Sequence, residues 1–355
     1  MYPIQDKPSH FTLVDELQRD KNYNSSFARC RDILKEIEKI TRSRLLAYFS
    51  VFKKPSTGII DSDATIIEDL LRCKNNHKPL LLILNSPGGQ AVAAEKILLV
   101  CEAYAKTSEA EFYTLVPKSA KSAATIIALG ADKILMSKTA ELGAIDPQLV
   151  VSSPLEKGKQ VVEETTEKKR VVKEEKIFEN MTNVIPAFRI LKSVEGLLKE
   201  SKHLWNFNRD AYNQFLSQYG YDIYSMAKNE FKLSGDILQK IIQRKKERAE
   251  IDEGFANSCQ IFFDPELTLS HNRPITLAEL KNSPLYKSGF IQDYIGFYEN
   301  QKLPAEDIKK LDTLIWEYYV RTNAHLEDNG NPVSKTIETS THRFHLTASG
   351  QSFLT

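Results

Sequence analysis

Two kinds of hydrophobic run alternate along the chain between residues 44 and 137. Short, mostly apolar runs predict strands: 44–52, 80–84, 112–116 and 133–137. The five consecutive aliphatic residues at 80–84 predict a strand buried on both faces, as in a parallel sheet. Runs with apolar side chains at helical spacing lie between them: 64–73, 91–104 and 122–131. This alternation predicts an α/β fold whose mainly parallel sheet is built from repeated strand-turn-helix units.

The remaining sequence predicts different structures around this core. Residues 27–39 have helical spacing, residues 186–257 are mostly helical by pattern, and residues 307–321 form an amphipathic helix. Residues 152–178 are rich in Glu and Lys between valine pairs, which predicts a solvated hairpin or a flap that closes over a site. The predicted segments are an N-terminal helical extension (1–40), the α/β core (41–150), a charged insertion or lid (151–180), a helical part (181–325) and a polar tail (326–355).

The first chemically suggestive segment follows the strand at 80–84. That strand ends at Pro87-Gly88-Gly89, where proline fixes one backbone angle and glycines permit angles that other residues avoid. Ligands of open α/β sheets bind at the carboxyl ends of strands. Free N–H groups at Gly88 and Gly89 are therefore candidate donors to an oxyanion.

The second segment repeats this design one strand later. Pro117 to Lys121 form a turn after the strand at 112–116, and Ser122 opens a small, apolar helix. Ser122 is predicted at a helix N-terminus, where the helix dipole favours negative charge. The N–H of Ala123 is expected to face the same space as that of Gly89. A serine at this position can equally be an ordinary N-cap, as can Asp61 or Ser62 for the helix at 64–73.

Composition narrows the classes of function. The 355-residue chain carries 48 basic and 47 acidic residues, so its net charge of +1 does not favour binding to nucleic acid. It has no apolar stretch of about 18 residues, so no membrane span is expected. Its four cysteines are widely spaced, which favours reduced thiols in a cytoplasmic protein and predicts no metal site. No cofactor is expected.

Three motifs together resemble one family. Asn85-Ser86-Pro87-Gly88-Gly89 and the later Ser122 turn resemble the superfamily of Clp proteases, signal-peptide peptidases and crotonases. The Lys-Ser-Ala-Lys-Ser-Ala block at 118–123, followed by Leu-Gly-Ala-Ile-Asp-Pro-Gln at 142–148, resembles the serine dehydrogenase proteinases within it. The resemblance covers about residues 40 to 150 and returns weakly at 270–275. It implies a Clp/crotonase-like fold.

The resemblance also implies roles for particular residues. A serine needs a base within hydrogen-bond reach to act as a nucleophile. The family is described as a Ser, Asp, His proteinase, and its motifs match Ser122, Asp146 and His271 here, with Gly88, Gly89 and Ala123 as the oxyanion hole. Signal-peptide peptidases use a lysine base instead, for which Lys138 and then Lys121 are the alternatives. Asp146 before Pro147 is also a common turn, and His271 is also compatible with a surface position.

Two other functions remain open at this point. Crotonase-type enzymes use the same kind of oxyanion hole on acyl-CoA thioesters without a nucleophilic serine. A catalytically inactive scaffold is the third possibility, because Ala124 stands where the family is expected to have glycine. The motifs favour a serine endopeptidase acting on a peptide or protein, and the resemblance implies a homo-oligomer.

Overall fold

A computed structural model of the chain places most of its residues in two compact units. The first unit is Met1–Ile145 with Asp236–Thr355, and the second is Asp146–Gly235. The structure describes residues 13, 23–52, 58–73, 78–106, 110–166, 169–203, 209–247, 253–264, 267, 270, 273–328, 330–347 and 352–354.

The strands of the described chain extend well beyond the predicted core. In chain order they are β1 (Arg44–Ser50), β2 (Leu80–Asn85), β3 (Phe112–Val116), β4 (Ser119–Ala120), β5 (Lys133–Met136), β6 (Glu141–Leu142), β7 (Gln148–Thr166), β8 (Lys169–Pro186), β9 (Ile275–Thr276), β10 (Ile291–Asp293), β11 (Val333–Glu338), β12 (Arg343–Thr347) and β13 (Ser352–Leu354).

Helices lie between β1 and β2, between β2 and β3, and between β4 and β5, as the apolar spacing predicts. In chain order the helices are α1 (Tyr23–Thr41), α2 (Asp61–Arg72), α3 (Ala91–Lys106), α4 (Ala123–Gly130), α5 (Ala187–His203), α6 (Arg209–Glu247), α7 (Glu253–Ser258), α8 (Leu277–Leu280), α9 (Pro284–Lys287), α10 (Tyr294–Asn300) and α11 (Ala305–Glu327).

A large sheet of eight strands organises the first unit, in the order β10-β5-β3-β2-β1-β11-β12-β13. The five strands from β10 to β1 are parallel to their neighbours, whereas β11, β12 and β13 join in antiparallel pairs. The mainly parallel α/β sheet is therefore confirmed. A smaller sheet, β4-β6-β9, lies beyond the carboxyl end of β3.

Both faces of the central strands are buried, which explains their largely apolar sequence. Leu45, Ala47 and Phe49 of β1 belong to one core cluster that includes side chains of α1, α10 and α11. The intervening residues Leu46 and Tyr48 point to the opposite face and are also fully buried. Since alternate side chains of a strand point to opposite faces, each face of the sheet needs its own covering layer.

The N-terminus of α2 differs from the predicted cap. Asp61 and Ser62 lie inside the first turn of the helix, and Ile60 occupies the cap position. The Asp63 carboxylate, at the third helical position, reaches back and accepts a hydrogen bond from the Ile60 N–H at 3.0 Å. The sequence contains three polar candidates in a row, and only the path of the chain chooses among them.

The second unit contains a long hairpin and helical segments. β7 and β8 pair antiparallel from Gln148↔Pro186 to Thr166↔Lys169, so the hairpin predicted for residues 152–178 is present. Its action as a lid remains a prediction. A small core in this unit joins the base of the hairpin to helices: Leu149, Val151, Ala187, Ile190 and Ala227.

Among the residues that the structure describes, no helix combines the length and apolar character needed to cross a membrane.

Two adjacent leucines of α3 test how the core is packed. Leu98 is fully buried and lies so close to Gly130 that a Cβ added there would be 2.2 Å from its Cδ2, whereas Leu99 is 48% exposed. We expect Leu98→Ala to lower the free energy of unfolding by about 2–5 kcal/mol, because it leaves a cavity between α3 and α4. Leu99→Ala is the matched control, with an expected effect within about 0.5 kcal/mol. Urea unfolding measures both, and equal losses would contradict this packing.

Candidate active site

The two turns singled out in the sequence are paired with each other. The Ser86 N–H donates to the Ser119 carbonyl at 3.0 Å, and the Lys121 N–H donates to the Ser86 carbonyl at 3.0 Å. The Asn85 side chain adds a bond by accepting from the Ser119 N–H at 3.1 Å. These bonds hold the Pro87-Gly88-Gly89 turn beside Ser122, so the structure brings the two turns together as the fold class predicts.

Glycine is required at both positions of the first turn. Gly88 has φ +108°, and a Cβ added there would lie 2.7 Å from the Ser122 Cβ and 3.1 Å from the Ala123 N. Gly89 has φ +152°, and its added Cβ would lie 2.1 Å from the Ile59 N. Both backbone angles disfavour any L side chain. The absence of side chains here lets the backbone approach Ser122 directly.

Ser122 occupies a strained conformation at the N-terminus of α4. Its backbone has φ 51° and ψ −120°, and its side chain makes no capping bond to the helix. All eight residues of α4 are buried, while Ser122 itself is half-buried. Strain of this kind persists where the surroundings impose it and concentrates at functional sites. The ordinary N-cap role, in which the hydroxyl bonds the helix backbone, is therefore absent from this structure.

The backbone N–H groups near Ser122 differ in their availability. The Gly88 N–H donates to the Ser86 hydroxyl at 3.2 Å. By contrast, the N–H groups of Gly89 and Ala123 have no acceptor among the residues that the structure describes. Of the three predicted oxyanion donors, the N–H groups of Gly89 and Ala123 are thus available to a substrate. The Gly88 N–H is already bonded, and the role of Gly88 is to let the backbone of the turn approach Ser122 closely.

The loop at Gly143, within the motif at 142–148, is hydrogen-bonded to Thr125 of α4. The buried hydroxyl of Thr125 lies 2.9 Å from the carbonyl oxygens of both Ala120 and Gly143, which share its one donated proton, and it accepts from the Gly143 N–H at 3.2 Å. Ala124, the departure from the family's expected glycine, fits fully buried within the helix. The alanine is therefore compatible with the turn.

The two lysines proposed as alternative bases have other surroundings. The Lys121 ammonium lies 2.8 Å from the Glu141 carboxylate and donates to the Leu142 carbonyl at 3.4 Å. Lys138 is exposed in a turn after β5. A lysine acting as a base near neutral pH needs burial to lower its pKa. Lys138 lacks this burial, and Lys121, whose side chain is 12% exposed, is held in an ion pair with Glu141.

Asp146, the first residue of the second unit, is buried and lies at the start of a helix. The backbone N–H of Phe188, in the first turn of α5, hydrogen-bonds its carboxylate. Burial raises the pKa of Asp146 to about 6, while the Phe188 N–H and the Arg189 guanidinium act in the opposite direction. The carboxylate therefore has a local structural role at the N-terminus of α5.

The histidines that the structure describes do not include the predicted base. His271, the predicted base, lies outside the described residues, as do His10 and His77. His325 and His345 are buried with ring centroids 5.7 Å apart, and burial lowers the pKa of His345 to about 3. These two belong to α11 and β12, and β12 is separated from β2 by two strands of the sheet. Within the described ranges, no side chain hydrogen-bonds the Ser122 hydroxyl.

Two residues that help to build the site, Gly58 and Ile59, lie outside the motifs that the sequence highlights. Ile59 holds the glycine turn, since its N–H donates to the Gly88 carbonyl at 2.7 Å and its carbonyl accepts from the Gln90 N–H at 2.9 Å. Gly58 was an available signal, because a glycine before an apolar pair indicates a close backbone approach. The described part of the chain contains no group of three His, Cys, Asp or Glu side chains that could hold a metal ion.

The raised pKa of Asp146 predicts a pH dependence of stability. The folded protein binds this proton more tightly than the unfolded chain, so its contribution is fully present below pH 3.8 and is lost as pH rises through about 6. Relative to wild type, Asp146→Asn should therefore gain up to about 3 kcal/mol of unfolding free energy between pH 4 and pH 7.

Chemical denaturation across this pH range measures the difference between the two proteins. Asp69→Asn is the control, because that carboxylate is exposed on α2 and its variant should follow wild type at every pH. Parallel stability curves for wild type and Asp146→Asn would contradict the assignment of a buried, proton-binding carboxylate.

Comparison with curated proteins identifies two relatives in Methanocaldococcus jannaschii, both named as uncharacterized proteins. One is 36% identical over 113 residues, which are 32% of this chain and 37% of the relative. The other is 32% identical over 136 residues, which are 36% of this chain and 44% of the relative. The chain thus spans less than half the length of each relative that it matches.

Comparison with family descriptions supplies the broader relationship. Residues 23–201, which make up half of the chain, match the family of ClpP-like SDH-type serine proteinases. This range contains the glycine turn and the Ser122 motif. The parallel α/β sheet and the paired turns agree with that match. The chain therefore belongs to the family of ClpP-like SDH-type serine proteinases.

Proposed function

We propose that the protein is a serine endopeptidase with Ser122 as its nucleophile. The supporting observation is the conformation of Ser122, which is strained, half-buried and free of a capping bond at the N-terminus of a buried helix. A serine that only capped α4 would be expected to bond the helix backbone. Membership of the family supports the class of chemistry, and the residues carry the specific assignment.

The oxyanion hole of this proposal consists of the Gly89 and Ala123 N–H groups. Both lack acceptors among the described residues, and Ala123 lies at the positive end of the α4 dipole. Negative charge develops on the substrate carbonyl oxygen when a nucleophile attacks it. Fixed donors stabilise that charge, and each donor contributes about 3 kcal/mol to catalysis in comparable sites.

The reaction follows from these roles. The Ser122 Oγ attacks the peptide carbonyl carbon, and His271 accepts the hydroxyl proton. The carbon–nitrogen bond then breaks, the proton passes from His271 to the leaving amine, and an acyl-enzyme remains. Water, deprotonated by His271, attacks the ester and releases the acid and the free serine. In this scheme Asp146 orients the imidazole and stabilises its positive charge.

The crotonase-type and scaffold alternatives receive less support from the site. Crotonase chemistry gives no reason for a strained serine beside the oxyanion donors, and a scaffold gives no reason for two unbonded N–H groups there. A peptide or protein substrate and a homo-oligomeric assembly are part of the proposal.

Labelling with a fluorophosphonate probe tests the nucleophile. The probe forms a covalent bond with activated serines, so Ser122→Ala should abolish labelling of the folded protein. Ser119→Ala is a matched control within the same Lys-Ser-Ala repeat, because the Ser119 hydroxyl donates to Glu141 at 3.1 Å and should not react. The Ser119→Ala variant should keep most of the labelling seen in wild type. A folded wild type that never labels would overturn the proposed function.

A second set of variants tests the base. We expect His271→Ala to slow labelling by about 10²–10⁴-fold, because the serine loses its proton acceptor. Asp146→Asn should also slow labelling strongly, while Lys138→Ala should label like wild type because that lysine is exposed. If Lys138→Ala abolished labelling and His271→Ala did not, a Ser-Lys dyad would replace the triad.

A further inference from the structure

A buried ion pair lies at the carboxyl edge of β1, close to the glycine turn. The Lys335 ammonium of β11 is 2.7 Å and 2.9 Å from the two carboxylate oxygens of Asp63 in α2. The two side chains are 2% and 0% exposed. Lys335 stands opposite Ser50, the last residue of β1, and Tyr48 donates its hydroxyl to Asp63 at 2.7 Å. Residues distant in sequence therefore meet at this point.

This pair also bonds the backbone on both sides of Ile59. The Lys335 ammonium donates to the Gly58 carbonyl at 2.8 Å, and the Asp63 carboxylate accepts from the Ile60 N–H at 3.0 Å. A cation and an anion thus hold two successive peptide groups with charge-assisted hydrogen bonds, which are stronger than neutral ones. The segment Gly58–Ile60 has little freedom to move.

That segment in turn fixes the conformation of the glycine turn. Ile59 donates to Gly88 and accepts from Gln90, which leaves the N–H of Gly89 directed away from Ile59. The contact is close, since a Cβ added to Gly58 would lie 3.0 Å from both the Gly88 oxygen and the Gly89 Cα. A displacement of Gly58–Ile60 would therefore displace Gly88 and Gly89 as well.

We propose that Lys335 and Asp63 are positioning residues that hold the Gly89 N–H in the oxyanion hole through the segment Gly58–Ile60. This inference rests on the proposed function of that N–H. A contribution to the stability of the fold does not by itself explain why an ion pair is buried here. Well-packed apolar residues often stabilise a core as well as a buried ion pair does. Directed hydrogen bonds to Gly58 and Ile60 are what apolar residues would not supply.

The chain offers a matched control in a second buried ion pair. Glu338, on the same strand β11, pairs with Arg343 and accepts a hydrogen bond from the Tyr318 hydroxyl at 2.6 Å. These ions are 0% and 3% exposed, so cation, carboxylate and tyrosine recur in a similar environment. Glu338 stands opposite Ala47, three residues from the carboxyl edge of β1, and among the described residues it makes no hydrogen bond or ion pair with the glycine turn.

Hydrogen exchange of the full chain, measured by mass spectrometry, compares Lys335→Met with Arg343→Met. In Lys335→Met, amides of residues 58–60 and 86–91 should exchange about tenfold faster relative to those of β2, because a buried hydrogen bond is lost. In Arg343→Met, that ratio should equal the wild-type ratio. Equal acceleration of turn and strand in both variants, or no acceleration at the turn in Lys335→Met, would overturn the proposal.

Milder variants decide the question if either methionine variant does not fold. Asp63→Asn and Glu338→Gln keep the size of each carboxylate and remove its charge, and the same exchange ratio distinguishes them. The rate of fluorophosphonate labelling, measured at matched fractions of folded protein, should fall about tenfold in Asp63→Asn and stay at the wild-type rate in Glu338→Gln.

The two readouts separate this inference from the proposed function. A wild type that does not label overturns the peptidase assignment, while the exchange ratio still decides whether the ion pair holds the glycine turn. Labelling that is equal in wild type and Asp63→Asn overturns the positioning role and leaves Ser122 as the nucleophile.

Discussion

The close backbone contact between the Gly88–Gly89 turn and Ser122 is the constraint on which the site depends. The space between them has no room for a single Cβ. It is maintained by the pairing of residue 86 with residues 119–121, and by the pairing of Ile59 with Gly89 on the other side. A backbone fixed from two directions can hold N–H groups without partners, because the neighbouring bonds, rather than those N–H groups, determine its path.

The polar groups around this contact bond to one another. Ser86 contributes its backbone to the pairing and its hydroxyl to the Gly88 N–H, while Ser50 donates to that same hydroxyl at 2.9 Å. Lys121 and Glu141 neutralise each other beside α4. The described surroundings of Ser122 therefore leave its hydroxyl without a competing hydrogen bond, which favours reaction over structural support.

Asp146 illustrates how one residue can have both a structural and a catalytic interpretation. Its carboxylate accepts a bond from the Phe188 N–H, and burial raises its pKa to about 6. A group that is ionised only above that pH is a suitable partner for a positively charged imidazole near neutral pH, since the two charges stabilise each other. The local bond at α5 fixes the carboxylate and is compatible with that second role.

The sequence by itself determined the central strands, their helices and the two turns. Fully apolar runs such as 80–84 have no stable alternative to burial on both faces, and Pro87-Gly88-Gly89 has few available conformations. It also indicated Ser122, Gly89 and Ala123 as neighbours, because adjacent parallel strands place their carboxyl ends along one edge. These inferences depend on periodicity and backbone chemistry, which are local properties.

Tertiary structure alone decided the rest. The polar pattern after residue 326 gave no sign that β11 and β12 would join the large sheet beside β1, because strand partners far apart in sequence leave no local signal. For the same reason Lys335 could not be matched with Asp63, which lies 272 residues earlier. The N-cap of α2 and the conformation of Ser122 were likewise set by neighbours rather than by residue type. The local sequence determined which residue types are present in the site, and contacts between distant segments determined how those residues are arranged.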